Sequence, residues 1–413
     1  MKLISEEALA RAYYHIKPFM SRRLQLFIRG AVARRKRIRH SGTWPIDPAA
    51  AEPPPGFTGW PDGKKFAVVL THDVDTARGV VRCESLMALE RELGFRSSFN
   101  FVAHDYHLPE ELRHRLVEEG FEVGLHGLEH NRKLYESAST FAEHAKQINN
   151  YLKEWGAVGF RSPCVYHNFD WLHALDIVYE ASAFDTDPFE PQSDALGTIF
   201  PVAQRKVPGR EYVVLPYTLP QDFTMFLLFR EKDISIWKQK LRWIAEQGGM
   251  ALLISHPDYM SFDGPPNFDE YHPDLYRDLL SHIKTEYQGE YWHALPQELA
   301  SFWARNVSGI AGTTPGEPAE PGEAAAPMGL DPDEIATAVY VPGTLGQPGG
   351  HVPVGGGLPD QIPGGVGLGD QIPGGIGLGD HSPEGVGPLG NPAPGGELGN
   401  SAARIAKGPD RHE

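Results

Sequence analysis

Two short segments of this chain carry side chains that could bind a metal ion and use it. Asp73 and Asp75 stand directly after an apolar run, and His126 and His130 follow further along the chain. Two imidazoles and one carboxylate can hold a divalent cation while leaving positions open for water and substrate. A second carboxylate can take the proton of the attacking water. These residues predict a hydrolytic metal site, provided that the fold brings the segments together.

The spacing within each segment fits this chemistry. Asp73 and Asp75 are two apart on an extended stretch, so their side chains point to one side. His126 and His130 are four apart and can face one ion across a single turn. Histidine pairs at this spacing are common by coincidence in a chain with 18 His. The histidine pair alone therefore does not establish a metal site, and the predicted strands and helices around it must be considered.

Composition narrows the classes of partner. The chain has 413 residues and a net charge of −16, which argues against nucleic acid because phosphate binding needs a basic surface. It contains only two cysteines, Cys83 and Cys164, and its N-terminus lacks the apolar core of a secretory signal. No run is long enough to span a bilayer. The expected location is cytoplasmic.

The N-terminal region differs from the rest in charge. Residues 1–40 carry eleven Lys or Arg and only two Glu, with apolar residues at helical spacing, and predict a basic helical extension. Two interpretations stay open: packing on the catalytic domain with a solvated charged face, or peripheral contact with an anionic membrane surface. Residues 41–64 are rich in Pro, Gly and Ala and are interpreted as a Pro-rich linker or surface crossing.

Residues 65–305 alternate between β-rich runs and helical patterns, which is typical of an α/β fold. The runs 66–70, 98–102, 121–125, 213–215 and 250–254 predict strands separated by helices. This order implies a parallel sheet, closed into a barrel or left open. Asp73, Asp75, His126 and His256 all come just after or at the end of predicted strands, so one barrel face would collect them.

The remaining residues, 306–413, form a low-complexity tail. They contain one aromatic residue, Tyr340, and a ten-residue Gly/Pro repeat that begins at Leu358. So few large apolar groups cannot offset the entropy of ordering, and we expect disorder.

Three further segments extend the two already described. Phe160 to Pro163, Phe184 to Pro188, and Leu252 to Pro257 follow predicted helices or end a predicted strand. In their order, spacing and strand-end position, the five segments resemble the motif series of the polysaccharide deacetylases, the NodB-homology or carbohydrate esterase 4 group. The resemblance covers about residues 65–300.

The resemblance implies a distorted (β/α)7-type barrel and a divalent metal, most commonly Zn²⁺. It also implies roles for individual residues: Asp75, His126 and His130 as metal ligands, Asp73 as general base, Arg161 as the cation that keeps Asp73 ionised, His256 as general acid, Asp185 or Asp187 as the group that orients His256, and the backbone N–H of Cys164 as an oxyanion donor. The Cys164 side chain itself is expected to be a small apolar filler, and His72 a wall or hydrogen-bonding group.

Several positions depart from the family pattern. Val74 separates two aspartates that are usually adjacent, His72 replaces an aromatic residue, and Gly127 stands where Ser or Thr usually follows the first histidine. Members of the wider family with a D-x-D motif include hydrolases of non-sugar amides and imides. We expect a metal-dependent carbohydrate N-deacetylase that removes N-acetyl groups from an amino sugar in a polysaccharide or its precursor, so the expected partner is an acetylated glycan. The alternatives are an O-acetyl esterase, a non-sugar amide or imide hydrolase, or a non-catalytic binding protein.

Overall fold

The computed structural model describes residues 20–190 and 194–307, which form one curled, mostly parallel sheet with helices around it. Within these ranges the strands are β1 Phe66–Val74, β2 Ser98–Phe101, β3 Glu122–Leu125, β4 Gly159–Phe160, β5 Tyr179–Glu180, β6 Val202–Gln204, β7 Tyr212–Val214, β8 Met250–Ser255 and β9 Tyr291–His293. Their order across the sheet is β6-β7-β5-β4-β3-β2-β1-β8, and β9 pairs with β1.

All neighbouring strands pair in parallel except β6 and β7, which are antiparallel. Beyond β7 the chain forms an isolated parallel bridge between Leu219 and Leu253 of β8, which joins the two sides of the sheet. Eight of the nine described strands pair in parallel, and seven of them, all except β9, follow one another around the interior. The predicted distorted (β/α)7-type barrel is confirmed.

Helices connect and cover the strands, as the alternation in the sequence predicts. They are α1 Arg22–Arg39, α2 Ala77–Leu93, α3 Glu110–Glu118, α4 Ala138–Trp155, α5 Phe169–Leu172, α6 Ser235–Gln247, α7 Asp274–Glu286 and α8 Pro296–Asn306, together with a π-helical segment Phe223–Leu228. Helices α2, α4 and α6 end at Gly94, Gly156 and Gly248, each with a left-handed backbone. None of these described helices is long and apolar enough to cross a membrane.

Every residue of β1 is buried because the strand is covered on both faces. Thr71 and Asp73 point into the barrel, while His72 points outward to the helix layer. There its two ring nitrogens lie 2.9 Å from Glu90 Oε1 and 2.8 Å from Ser255 Oγ. The expected hydrogen-bonding role of His72 is therefore confirmed, and its side chain lies on the face opposite to Asp73.

The region interpreted as a linker is packed into the folded body. Trp44, Ala50 and Trp60 are buried in the main hydrophobic core, and the Trp60 indole N–H donates to the Gly248 carbonyl at 2.8 Å. Of the two interpretations of residues 41–64, these contacts fit a surface crossing packed on the folded body rather than a free linker. The predicted tail, from residue 308 onward, and the first nineteen residues of the predicted extension lie outside the described residues.

Candidate active site

The candidate residues meet at the carboxyl ends of the parallel strands. Asp73 is the penultimate residue of β1, His126 directly follows β3, Arg161 directly follows β4, and His256 directly follows β8. All four side chains are buried. The barrel thus brings together groups that are far apart in sequence, because parallel strands share one carboxyl edge.

Asp75, His126 and His130 form a compact group of potential metal ligands. Asp75 Oδ1 lies 3.5 Å from Nε2 of His126 and 3.2 Å from Nε2 of His130. The ligand atoms of all three lie within 4.8 Å of one another. Two imidazoles and one carboxylate at this separation match the donor set of a catalytic zinc site.

The hydrogen bonds around the group fit a cation. Nδ1 of His126 lies 3.0 Å from the Arg161 carbonyl, and because a carbonyl only accepts, Nδ1 must carry the proton. The lone pair of Nε2 in neutral His126 therefore faces the carboxylates, as in many metal-ligating histidines. Asp75 Oδ1 is buried and has no hydrogen-bond partner among the described residues. A divalent ion would coordinate both Nε2 of His126 and Oδ1 of Asp75.

The two histidines lie on a loop after β3 rather than on a helix. Gly127 turns this loop with a φ of +74°, and a Cβ at this position would lie 2.8 Å from the Pro163 ring. His130 is then anchored by its backbone N–H, which donates to Asp105 Oδ2 at 2.7 Å. The glycine that departs from the family pattern is thus required by the close approach of Pro163.

Asp73 sits beside the ligand group and is held by two donors. Its Oδ1 accepts from Arg161 Nη1 and from Asn100 Nδ2, each at 3.1 Å. Asn100 faces Asp73 because the parallel register of β1 and β2 pairs these two residues. Gly124 on β3 provides the space for the Asn100 side chain, because a Cβ at position 124 would lie 2.2 Å from Asn100 Oδ1.

These contacts keep Asp73 ionised. Burial raises the pKa of the Asp73 carboxyl, but the charges of Arg161, His126 and His256 outweigh it and leave the pKa below its usual value. The Arg161 guanidinium is itself buried and fixed by the Ala181 carbonyl at 2.8 Å and by Thr71 Oγ1 at 2.9 Å. An ionised carboxylate next to the ligand group can accept a proton from water.

His256 is oriented by Asp222, a residue that the sequence analysis did not select. Asp222 Oδ1 lies 2.7 Å from His256 Nδ1, and Asp222 Oδ2 accepts from the His256 backbone N–H at 2.8 Å. Tyr271 donates its hydroxyl to Oδ2 at 2.9 Å. Because Nδ1 is engaged, Nε2 is the nitrogen of His256 that remains to serve a substrate.

The prediction that Asp185 or Asp187 orients His256 is wrong. Asp185 Oδ2 lies 2.6 Å from Nζ of Lys240 on α6, with both side chains buried. Asp187 accepts from the Phe189 N–H at 2.8 Å. The strand-like stretch after β5 directs Asp185 outward to the helix layer, so its carboxylate is engaged by Lys240 instead of the imidazole.

His256 lies in an acidic environment. Burial lowers the pKa of its imidazole, but Asp222 and, further away, Asp75 and Asp73 raise the pKa to about 10. Tyr259 connects this residue to the ligand group: its ring centroid is 5.0 Å from that of His256, and its hydroxyl lies 3.4 Å from Asp75 Oδ2. A protonated imidazole and an ionised carboxylate are therefore available in the same site.

Sequence reasoning missed Asn100, Asp222 and Tyr259. Asn100 could have been found, because it sits near the end of a predicted strand at an inward position. Asp222 follows an irregular stretch after β7 that carries no periodic signal. The expected apolar role of the Cys164 side chain is also corrected: this residue is exposed, on a left-handed backbone with φ of 58°.

Comparison with known proteins gave structural similarity only. No family model and no curated protein matches the chain. A putative polysaccharide deacetylase from Mycobacterium smegmatis is 18% identical, with a TM-score of 0.49, over 65% of this chain and 99% of the other. A probable polysaccharide deacetylase from Pseudomonas aeruginosa PAO1 is 14% identical, with a TM-score of 0.48, over 62% of this chain and 95% of the other. The Puue allantoinase is also 14% identical, with a TM-score of 0.48, over 63% of this chain and 97% of the other. Polysaccharide deacetylases, the family that the sequence motifs resemble, are thus among the solved structures similar to this chain.

Proposed function

We propose that this protein is a metal-dependent hydrolase that removes N-acetyl groups from an amino sugar in a polysaccharide or its precursor. The observation that carries the proposal is the arrangement of three groups at one end of the barrel. The ligand set Asp75, His126 and His130 lies beside an ionised Asp73 and near a protonated His256. Hydrolysis of an amide needs such a base and such an acid.

Asp75, His126 and His130 would hold the metal. One carboxylate oxygen and two imidazole nitrogens favour zinc over magnesium or calcium, which prefer oxygen ligands. A bound divalent ion supplies Lewis-acid polarisation of the substrate carbonyl and lowers the pKa of water. All the remaining chemistry comes from side chains and backbone groups of the chain.

Asp73 acts as the general base. Its carboxylate takes a proton from water as the water oxygen bonds to the acetamide carbon, and Arg161 and Asn100 hold it in position. The carbonyl oxygen gains negative charge in the resulting tetrahedral intermediate. The backbone N–H of Cys164 is the proposed donor to that oxygen, in keeping with the motif resemblance.

His256 acts as the general acid. Its Nε2–H donates a proton to the sugar nitrogen as the C–N bond breaks, which releases acetate and the free amine. Asp222 stabilises the charged imidazole before this step. Because an amine, unlike a sugar hydroxyl, cannot leave as its anion, the raised pKa of His256 favours an amide substrate over an ester.

The cellular setting remains a prediction. A cytoplasmic location rests on the presence of only two cysteines in 413 residues. The net charge of −16 supports a partner other than nucleic acid, such as an acetylated glycan or glycan precursor.

The test is acetate release from a panel of N- and O-acetylated oligosaccharides by zinc-loaded protein. Chelator-treated enzyme and the Asp73→Asn variant serve as controls. Release from N-acetylated members that both controls abolish is the expected result. Release from O-acetylated members alone would replace the proposal by an esterase. No release from any member, despite stoichiometric zinc binding, would overturn it in favour of other amides, imides or a non-catalytic role.

A further inference from the structure

Helix α1 is fixed to the catalytic body by one face. Leu26, Gly30 and Ala33 are buried, and a Cβ on Gly30 would lie 2.9 Å from the Leu228 carbonyl of the π-helical segment. Arg34 Nη1 donates to the same carbonyl at 2.9 Å, and Arg37 pairs with Glu231 at 2.5 Å. These contacts explain how the inner face of α1 is held, and they leave its opposite face to solvent.

The opposite face carries large apolar side chains. Leu24, Phe27, Val32 and Ile38 are 46%, 68%, 57% and 75% exposed. They make up four of the eight large hydrophobic side chains that are exposed in the described part of the chain. A solvated helix normally presents polar residues outward, so this concentration marks a surface that is covered in use.

The charge of α1 indicates what covers it. The helix contains eight Arg or Lys and no acidic residue, although the whole chain carries a net charge of −16. Apolar side chains surrounded by basic ones favour burial at the headgroup level of a bilayer rich in anionic lipid. We propose that this face, defined by Leu24, Phe27, Val32 and Ile38, docks the protein on an anionic membrane surface with α1 lying in its plane.

Helix α1 is connected to the candidate active site through Arg29, which lies outside the docking face. The Arg29 guanidinium lies 4.5 Å above the ring of Phe223, whose centroid is 5.4 Å from that of Tyr259. Tyr259 in turn contacts His256, and Phe223 directly follows Asp222. Docking through α1 therefore places the segment that carries Asp222 and Phe223 next to the helix that lies on the membrane. Resting on the proposed function, this makes the substrate an acetylated amino sugar carried on the membrane.

The experiment is co-sedimentation of the full chain with vesicles of phosphatidylcholine alone or with phosphatidylglycerol. We expect binding only to the anionic vesicles, with weakening as salt rises. The variant Phe27→Glu/Ile38→Glu should reduce the bound fraction at least about tenfold, since it puts charge on the apolar face. Val81→Glu is the matched control, because Val81 is 79% exposed on α2 and should bind as the wild type does.

Results of two kinds, one on vesicle binding and one on oligomeric state, would overturn the docking proposal. One is equal binding by Phe27→Glu/Ile38→Glu and Val81→Glu, or no binding to anionic vesicles. The other is a dimer in analytical ultracentrifugation that Phe27→Glu/Ile38→Glu dissociates, since a second copy would then cover the face. The proposed function is judged separately: Asp75→Asn should still bind vesicles, and Phe27→Glu/Ile38→Glu should still hydrolyse soluble substrate.

Discussion

Asp222 holds His256 through both ends of its carboxylate: Oδ1 lies 2.7 Å from the ring Nδ1 and Oδ2 accepts from the backbone N–H at 2.8 Å. The same carboxylate caps the π-helical segment through the Phe223 N–H, at 2.7 Å from Oδ1. One buried acidic residue thus fixes both the rotamer and the charge of the proposed general acid, and the π-helical segment fixes that residue in turn.

The first prediction concerns the charge of Asp222. Asp222→Asn removes the main interaction that raises the pKa of His256, so the pKa falls from about 10 and burial lowers it further. His256 then loses its proton at lower pH, and the basic limb of the rate profile moves to lower pH. We expect a loss of about 100-fold in kcat/KM at about pH 8. The measurement is kcat/KM against pH; a basic limb that stays in place would contradict the role of Asp222.

The second prediction concerns Asp73. Replacing Arg161 by Met removes the charge that offsets the burial of Asp73, so the pKa of the carboxyl rises. The ionised form of Asp73 then appears only at higher pH, and the acidic limb of the rate profile moves to higher pH. Arg161→Lys keeps a positive charge and should give a smaller shift. The midpoint of the acidic limb should therefore move to higher pH in the order wild type, Arg161→Lys, Arg161→Met. The same midpoint in all three proteins would refute the role of Arg161 in keeping Asp73 ionised.

The third prediction concerns metal binding and its pH dependence. Burial lowers the pKa of His126, but Asp73 and Asp75 raise it above the usual value overall. Protons therefore compete with zinc, and affinity should fall as pH decreases through that raised pKa. Asp75→Asn should weaken zinc binding at least about 100-fold. Competition with a chromophoric chelator measures both effects. His114→Gln, on the exposed surface of α3, is the control and should bind one zinc as before.

The fourth prediction concerns the buried pair of Asp185 and Lys240. Asp185→Asn leaves the Lys240 ammonium in the core without its counter-charge, which should cost about 3–5 kcal/mol of unfolding free energy. Asp185→Leu/Lys240→Met removes both charges and should recover most of that loss. Chemical denaturation measures the stabilities. The basic limb of the rate profile should not move in Asp185→Asn, which separates this residue from Asp222.

The fifth prediction concerns the histidine loop. Gly127→Ala combines a left-handed backbone with a collision against Pro163, so it should shift His126 or His130 and weaken zinc binding. Gly156→Ala is the matched control, because Gly156 has a φ of +64° but a Cβ there would meet no atom within 4 Å. It should cost about 1 kcal/mol of stability without changing zinc affinity. Equal zinc affinity in the two variants would contradict the steric argument.

The sequence by itself determined five of the nine described strands, β1, β2, β3, β7 and β8, and the side chains that stand at the ends of β1, β3 and β8. The apolar runs before Asp73, His126 and His256 are local signals, and parallel strands must present their carboxyl ends together. For the same reason the ligand group could be named from residue types and spacing. The order of the helices followed from amphipathic periodicity and from glycines at their ends.

Only the tertiary structure decided which acid meets which base. Asp185 and Asp222 are both buried carboxylates, and no local pattern distinguishes them. Closure of the barrel between Leu219 and Leu253 brings Asp222 to His256, while the outward turn of Asp185 brings it to Lys240. Such pairings depend on contacts between segments distant in sequence, and these contacts are set by packing rather than by local propensity.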